Sequence, residues 1–594
     1  MKKNHYDLAI IGAGLAGLAL ARQLQLASNK RILLLEKRAE VPGPKQKYGE
    51  STVQVGAYYI SKVLDLEDYL HREQTIKYNL RFHWKNPARD NKVLEDYSQS
   101  YIRLVSNIAG YQVDRNTLEA EILRVVTENP NCTFCAPATN LDVTLSETGP
   151  HTLKFQHKGR QKSVTAEWVV DTTGRSKFLS RRMDLGRPNP IRHGSSFLWV
   201  DGLVNVEKLT DRSWSETRLN KDRCTLGHFP FWLATNHFVG EGFWFWIIPI
   251  HGKTSLGVVY DSALFDAKQV DTPKKLMEWV CREFPLFQRD FPHRKILDHG
   301  SFKDYSYDCA QTISPSRWAL SGEAGRFSDP LYSPGSDLIA FHNTMIIEAI
   351  LSEKGELAEK IALFENMMKA LYEAYVPSYA VSYDTLGDQE VFTLKYVWEL
   401  TIYFAFYVFP FINDLIANRR FILPFLSKFA RLGPINRNMQ SYLSAYYQWK
   451  KQQAHTASTE RRFFDFISVP PLKTAEGSFY KVGVSPDEAF DVLDMQLTNL
   501  KELARFIVAH ISSMVLQDES VLANRAFVES IDLRNFRFDP EELRARYAEF
   551  AGATEHYMWS FDSKVLNLFR MDSKSQPSEA YHMPEGVVHN SMRI

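Results

Sequence analysis

Apolar residues crowd the run Tyr6 to Ile11, stop at Gly12, and return at helical spacing from Leu15 to Leu26. A second β-rich run, Arg31 to Leu35, ends at Glu36. This order predicts a β-turn-α-β unit. Further strands are expected at Val164 to Asp171, Phe243 to Ile250 and Ser255 to Tyr260. After about Ala340 the pattern turns helical, with helices expected at Asn343–Leu351, Leu357–Ala374, Tyr396–Ala417, Pro486–Val515 and Pro540–Phe550. The expected architecture is α/β: a Rossmann-type nucleotide-binding domain with an interleaved, sheet-containing substrate region over 1–375, then a helical C-terminal region over 376–594 that covers the substrate pocket. The apolar stretch Leu400–Ile412 has Glu399 before it, Asp414 after it and Pro410 within it. A membrane span needs about 20 apolar residues, so this run reads as a buried helix and no transmembrane segment is expected.

Composition narrows the function. The 594 residues carry 71 Lys and Arg against 70 Asp and Glu, a net charge of +1, which argues against nucleic acid as the main partner. Aromatic residues make up 13%, which suggests large flat pockets. The five cysteines, Cys132, Cys135, Cys224, Cys281 and Cys309, do not make a disulfide scaffold, so a reducing, cytoplasmic setting is expected. Cys132 and Cys135 form one CxxC without a second pair, so no metal site is expected. The N-terminal apolar run leads into a glycine turn rather than a cleavage site and does not read as a signal peptide.

Gly12-Ala13-Gly14-Leu15-Ala16-Gly17 is a GxGxxG between strand and helix, answered by Glu36 at the end of the next strand. Gly12 permits the tight turn, Gly14 lets the backbone approach a pyrophosphate, and Gly17 allows close helix packing. The helix N-terminus faces the phosphates, and a carboxylate at Glu36 can take ribose hydroxyls. Three further segments resemble flavin monooxygenases and point to FAD rather than NAD. In Val113-Asp114-Arg115 the arginine would contact the cofactor. Asp171-Thr172-Thr173-Gly174-Arg175-Ser176 looks like a second dinucleotide-contact turn. Leu320-Ser321-Gly322-Glu323-Ala324 resembles the segment that holds the ribityl chain, with Glu323 where Asp is typical. No second GxGxxG in strand–helix context is present, so reduced FAD is expected from a separate flavin reductase.

Trp244-Phe245-Trp246-Ile247-Ile248-Pro249 matches WxWxIP, and here the chain resembles the flavin-dependent halogenases. Phe327-Ser328-Asp329-Pro330-Leu331-Tyr332-Ser333-Pro334-Gly335 is similar to that family's F-x-x-P-x-x-S-x-G segment, and Gly49-Glu50-Ser51 to its flavin-side strap. Lys77 falls where the family carries its catalytic lysine. The resemblance covers roughly residues 5 to 345. It implies cofactor contacts from Gly12, Ala13, Gly14, Leu15, Ala16, Gly17, Glu36, Lys37, Gly49, Glu50, Ser51, Arg115, Gly322, Glu323, Asp329, Gly335 and Ser336. It also implies a halide at Ser333 and Gly335, and a partition made by Trp244 and Trp246.

The chemistry it implies is halogenation of an electron-rich aromatic of phenol, resorcinol or pyrrole type, free or bound to a carrier protein. Reduced FAD and O2 give a C4a-hydroperoxide, a halide attacks it, and the resulting hypohalous acid travels to the lysine. Lysine suits the task because its pKa falls readily on burial. Three departures stand out. Tryptophan-specific members carry glutamate where this chain has Tyr332, so free tryptophan is not the expected substrate. Pro334 has no N–H and removes one donor from the halide nest. Asp337 lies close by and would repel a halide if it pointed inward. A monooxygenase or dehydrogenase without halide use, and a non-catalytic flavoprotein, therefore remain as alternatives. Phe404, Phe406, Tyr407 and Phe411 are candidates for a pocket wall. His83 and Asp337 are positional candidates for removing the ring proton.

Overall fold

The computed structural model describes residues 4–218, 230–353, 355–453 and 461–570; Cys224 and the end of the C-terminal region from residue 571 lie outside the described residues. His5–Ile11 forms a central parallel strand, flanked by Arg160–Asp171 on one side and Ile32–Leu35 on the other. Cys132–Cys135 extends the sheet beyond Ile32–Leu35, and Trp318–Leu320 extends it beyond Arg160–Asp171, both in parallel. The helix Leu15–Ala27 follows the first strand and buries Leu15, Leu18, Leu20 and Leu24. The strand is apolar on both faces, as a parallel strand covered by helices must be.

A second sheet has eight strands among the described residues and runs mostly antiparallel. Its centre is the pair Phe243–Ile250 and Lys253–Asp261 beside His193–Asp201. Thr235–Gly240 joins it in parallel to Leu80–Trp84, which pairs with Ser98–Tyr101. The last strand, Phe463–Asp465, comes from the C-terminal region and pairs with Ser98–Tyr101. The helical region is thus stitched into the substrate sheet.

The helices Pro334–Leu351 and Leu357–Ala380 lead into the C-terminal region; the boundary expected at 375/376 falls inside the second of them. The helix expected over Tyr396–Ala417 begins earlier, at Gln389, and runs to Tyr403. A π turn over Phe404–Val408 and a short helix Phe409–Ile412 follow, and the chain leaves the helix before Ala417. The π turn widens the helix just ahead of Pro410, whose missing N–H could not have served a regular helix. Phe404 to Ile412 are all buried, and no helix among the described residues is long and apolar enough to cross a membrane.

Candidate active site

The glycine turn is built as its spacing requires. Gly12 has φ +111°, and a Cβ there would sit 2.7 Å from the Thr172 carbonyl oxygen. A Cβ at Gly17 would lie 2.1 Å from the Gly12 oxygen, so only glycine lets the helix start this close to the strand. Gly14 differs: a Cβ there would meet nothing within 4 Å. That open face at a helix N-terminus is the cradle a pyrophosphate needs. Glu36 accepts the Ala13 N–H at 3.0 Å and holds Arg38 through its backbone and side chain. Burial pushes its pKa up, but the bonds from Arg38 and Ala13 outweigh it, and the net shift is downward.

The flavin-side groups form one network. Arg115 donates to the Tyr48 carbonyl at 2.9 Å and to Glu119 at 2.6 Å. Gly49, at φ +85°, passes so close that a Cβ would lie 2.9 Å from the Arg115 guanidinium. Tyr48 donates to both oxygens of Glu323 at 3.0 and 3.2 Å, and burial raises the Glu323 pKa. Burial also lifts Glu50 to about 7, although the Trp199 indole donates to it at 2.7 Å. Lys37 reaches the Ser176 hydroxyl at 3.4 Å. Gly322 has φ +63° and sits over Ala16. These groups, with the open face at Gly14, fit a dinucleotide running from Glu36 past Gly14 toward Glu323.

Asp329 is tied into the protein on every side. Its oxygens meet His193 at 2.6 Å, Tyr305 at 2.8 Å, Tyr383 at 3.2 Å and the Leu331 N–H at 2.8 Å. It therefore acts as a structural hub, where the sequence suggested a direct cofactor contact. The hub reaches the tryptophans: the Trp244 indole donates to the Tyr383 hydroxyl at 2.5 Å. Trp246 donates to Ser255 at 3.1 Å and packs on Gly257, where a Cβ would lie 2.4 Å from the indole. The two rings are 5.6 Å apart on one face of their strand, both buried.

Pro334 opens the helix Pro334–Leu351 at its first position, after Tyr332 at φ +67° and Ser333 at φ +59°. The Ser333 N–H is already bonded to the Pro330 oxygen at 2.8 Å. Gly335 and Ser336 hold the next positions, whose N–H groups have no partner one turn back. The buried Ser336 hydroxyl also has no partner. A halide therefore fits the Gly335–Ser336 end better than the Ser333 amide. Asp337 is engaged elsewhere: the carboxylate accepts the Gly56 N–H at 2.8 Å and the Tyr403 hydroxyl at 2.7 Å, and burial raises its pKa to about 7. Gly56 is forced by this contact, since a Cβ would fall 2.2 Å from the Ser336 hydroxyl.

Beyond this loop lies a cavity of about 730 Å³. Lys77, Thr52, Tyr332 and Pro334 line it together with Glu399, Tyr375 and Tyr403 from the helical region. Lys77 ends the short strand Thr75–Lys77, paired with Gly110–Gln112, and is 8% exposed. Its ammonium nitrogen donates to the Ser51 hydroxyl at 2.8 Å and the Thr52 carbonyl at 2.7 Å. Burial pulls its pKa down to about 7, against an opposing pull from Asp337. Neither tryptophan borders this cavity. Phe404 and Tyr407 line it as expected; Phe406 and Phe411 instead pack on Phe425 and on Tyr58. His83 does not line it either, and its ring is pulled to about 3 by burial while bonded to Asn236 at 3.0 Å. The sequence reading missed Glu399 and Tyr375. The available signal was the pair Lys395 and Glu399, charges four apart inside an aromatic run.

The fold and the residues of this site fit a flavin-dependent oxidoreductase, with a cavity bordered by Lys77 whose lining includes none of the glycine-turn residues. The NAD(P)-binding Rossmann-like domain family matches residues 10–73. The chain is 25% identical to the flavin-dependent halogenase chlA of Dictyostelium discoideum over 432 residues, 68% of this chain and 70% of that one. It is 24% identical to the tetracycline 7-halogenase of Kitasatospora aureofaciens over 404 residues, 62% of this chain and 68% of that one. The crystal structure of halogenase PltM in complex with phloroglucinol and FAD superimposes with a TM-score of 0.58 at 14% identity, covering 84% of this chain and 96% of that chain. The chain is thus similar to flavin-dependent halogenases over about two thirds of its length.

Proposed function

We propose that this protein halogenates an electron-rich aromatic of the phenol, resorcinol or pyrrole type, free or carried on a carrier protein, with Lys77 as the catalytic amine. Bound reduced FAD, supplied by a separate reductase, provides with O2 the oxidation that turns a halide into hypohalous acid. The protein's own part is to hold and direct that oxidant. The observation that carries this reading is Lys77 itself: buried, bordering the cavity and held at about pH 7. In its neutral form the amine spends its two N–H groups on Ser51 and Thr52. The lone pair is then left free to hydrogen-bond hypohalous acid, or to take its halogen as a haloamine with release of water. The free N–H groups at Gly335 and Ser336 supply the halide end, while burial favours the neutral form of Asp337 and its oxygens are taken up by Gly56 and Tyr403.

The test is turnover with a flavin reductase, NADH, FAD and bromide or chloride on a phenol panel, read by mass spectrometry. A halogen isotope pattern is expected. A product that gains one oxygen instead would favour a monooxygenase without halide use, a reading that Pro334 and the engaged Ser333 amide keep in play. No product above the reductase control refutes both and leaves a non-catalytic flavoprotein.

A further inference from the structure

The cavity wall contributed by the helix Gln389–Tyr403 carries a carboxylate with one oxygen fixed and one free. Glu399 accepts Lys395 at 2.5 Å and Gln440 at 3.0 Å, both on the same oxygen, Oε1. Lys395 is itself saturated, reaching the Ser378 carbonyl at 2.8 Å, the Ser382 hydroxyl at 2.8 Å and Gln440 at 3.1 Å. That clamp sets the plane of the carboxylate and leaves Oε2 buried without a partner, on a side chain only 10% exposed that borders the cavity. The Tyr375 hydroxyl, also on this wall, is likewise buried and unpartnered. Burial and the facing Glu399 carboxylate both raise the Tyr332 pKa, and the Tyr332 hydroxyl lies against Glu399 without a hydrogen bond of normal length and angle. A buried acceptor with no donor is costly unless something supplies one.

We infer that Glu399 Oε2 accepts a hydrogen bond from an O–H group on the aromatic ring of the substrate, which makes it the residue that selects hydroxylated arenes. This rests on the reading that the cavity holds the aromatic substrate. Lys77 borders the same cavity, so a ring anchored through its hydroxyl at Glu399 would share that cavity with the amine. Much of the remaining lining is aromatic and aliphatic, which favours the ring; Glu373, Arg437 and Glu476 also border the cavity, and among its carboxylates Glu399 is the one with a buried oxygen left unpartnered. A hydroxyl donating to a carboxylate also pushes electron density into its ring, the direction electrophilic substitution needs.

Equilibrium binding separates this from the halogenation reading, because it needs neither flavin, halide nor turnover. Calorimetric titration of the full chain compares resorcinol with 1,3-dimethoxybenzene, which keeps the ring but donates nothing. Wild type is expected to prefer resorcinol by about tenfold to a hundredfold, the range for one hydrogen bond to a charged group. Glu399→Gln presents an amide to the cavity and should bring the ratio close to one, with Glu399→Asp restoring part of it. A ratio near one in the wild type, no detectable resorcinol binding, or an unchanged ratio in Glu399→Gln each overturns the inference. The wild-type comparison stands even if a variant fails to fold.

Discussion

Replacing Lys77 by Met separates the cost of this residue from its use. The side chain is buried, and its pKa falls from an ordinary 10.5 to about 7, because burial penalises the ammonium form more than Asp337 favours it. The folded protein therefore holds this proton less tightly than the unfolded chain does. Between about pH 7 and pH 10.5 the unfolded state binds more protons at this position, so the wild type gains stability as pH rises through that window. The gain is about 1.4 kcal/mol per pH unit, or on the order of 3 kcal/mol between pH 7 and pH 9. Methionine fills similar space and does not titrate. Lys77→Met should thus be at its best relative to wild type at or below pH 7, and should lose that standing progressively toward pH 9. Losing the bonds to Ser51 and Thr52 offsets part of the advantage, about 1 kcal/mol each, but equally at both pH values. Urea unfolding of both proteins at pH 6, 7 and 9 reads the difference directly. Halogenated product should meanwhile fall at least a hundredfold with FAD binding intact. A wild-type-to-variant difference that does not move between pH 7 and pH 9 would refute the burial argument, and halogenation at wild-type rate would refute the role.

Three further outcomes follow from the same geometry. Gly14→Ala adds a methyl group to open space, so the melting temperature of the FAD-free protein should stay put while FAD affinity drops, as read by flavin fluorescence titration; Gly17→Ala, with its 2.1 Å approach to the Gly12 oxygen, should lower both. Pro334→Thr restores a backbone donor at the helix start and should lower the halide KM by about tenfold, the worth of one bond to a charged group; an unchanged or higher KM counts against a halide at this turn. Gly56→Ala drives a Cβ into Ser336 at 2.2 Å, and should both destabilise the protein and raise the halide KM, whereas a loss of stability with normal halide kinetics would separate the strap from the halide end.

Much of the nucleotide half was legible because its determinants are local. A glycine turn, a helix start and a carboxylate 24 residues after Gly12 state their geometry in the chain itself. The strand Phe243–Ile250 has the bounds its pattern suggests, and Val164–Asp171 is the inner end of the longer strand Arg160–Asp171. The helical half was less legible, because its breaks answer to packing. The expected helix start at Asn343 lies nine residues late, since the turn ahead of it holds two non-glycine residues in left-handed geometry that no local pattern announces. Asp337 looked like a threat to a bound anion in sequence. Only the packing of Gly56 and Tyr403 against it shows where its charge is spent. Glu399 marked the start of an apolar run in the chain, yet in the fold it borders the cavity.

The turn from Tyr332 to Ser336 reconciles what looks contradictory in the chain. Two non-glycine residues in left-handed geometry cost on the order of 1 kcal/mol each, and they are held only because the surroundings fix them. Proline at the next position removes a donor, but its fixed φ is already the value a helix needs at its first residue. It therefore starts the helix without adding strain to the turn, and the N–H groups of Gly335 and Ser336 follow it in the first helical turn. The Ser333 amide closes the turn on Pro330 and the Asp337 carboxylate ties it to the strap helix Gln54–Tyr58, so both neighbours serve as scaffold. The strap also begins beside Ser51 and Thr52, the two acceptors of Lys77. A single rigid unit thus joins the proposed halide end to the amine, and a change that loosens the turn should disturb both ends together.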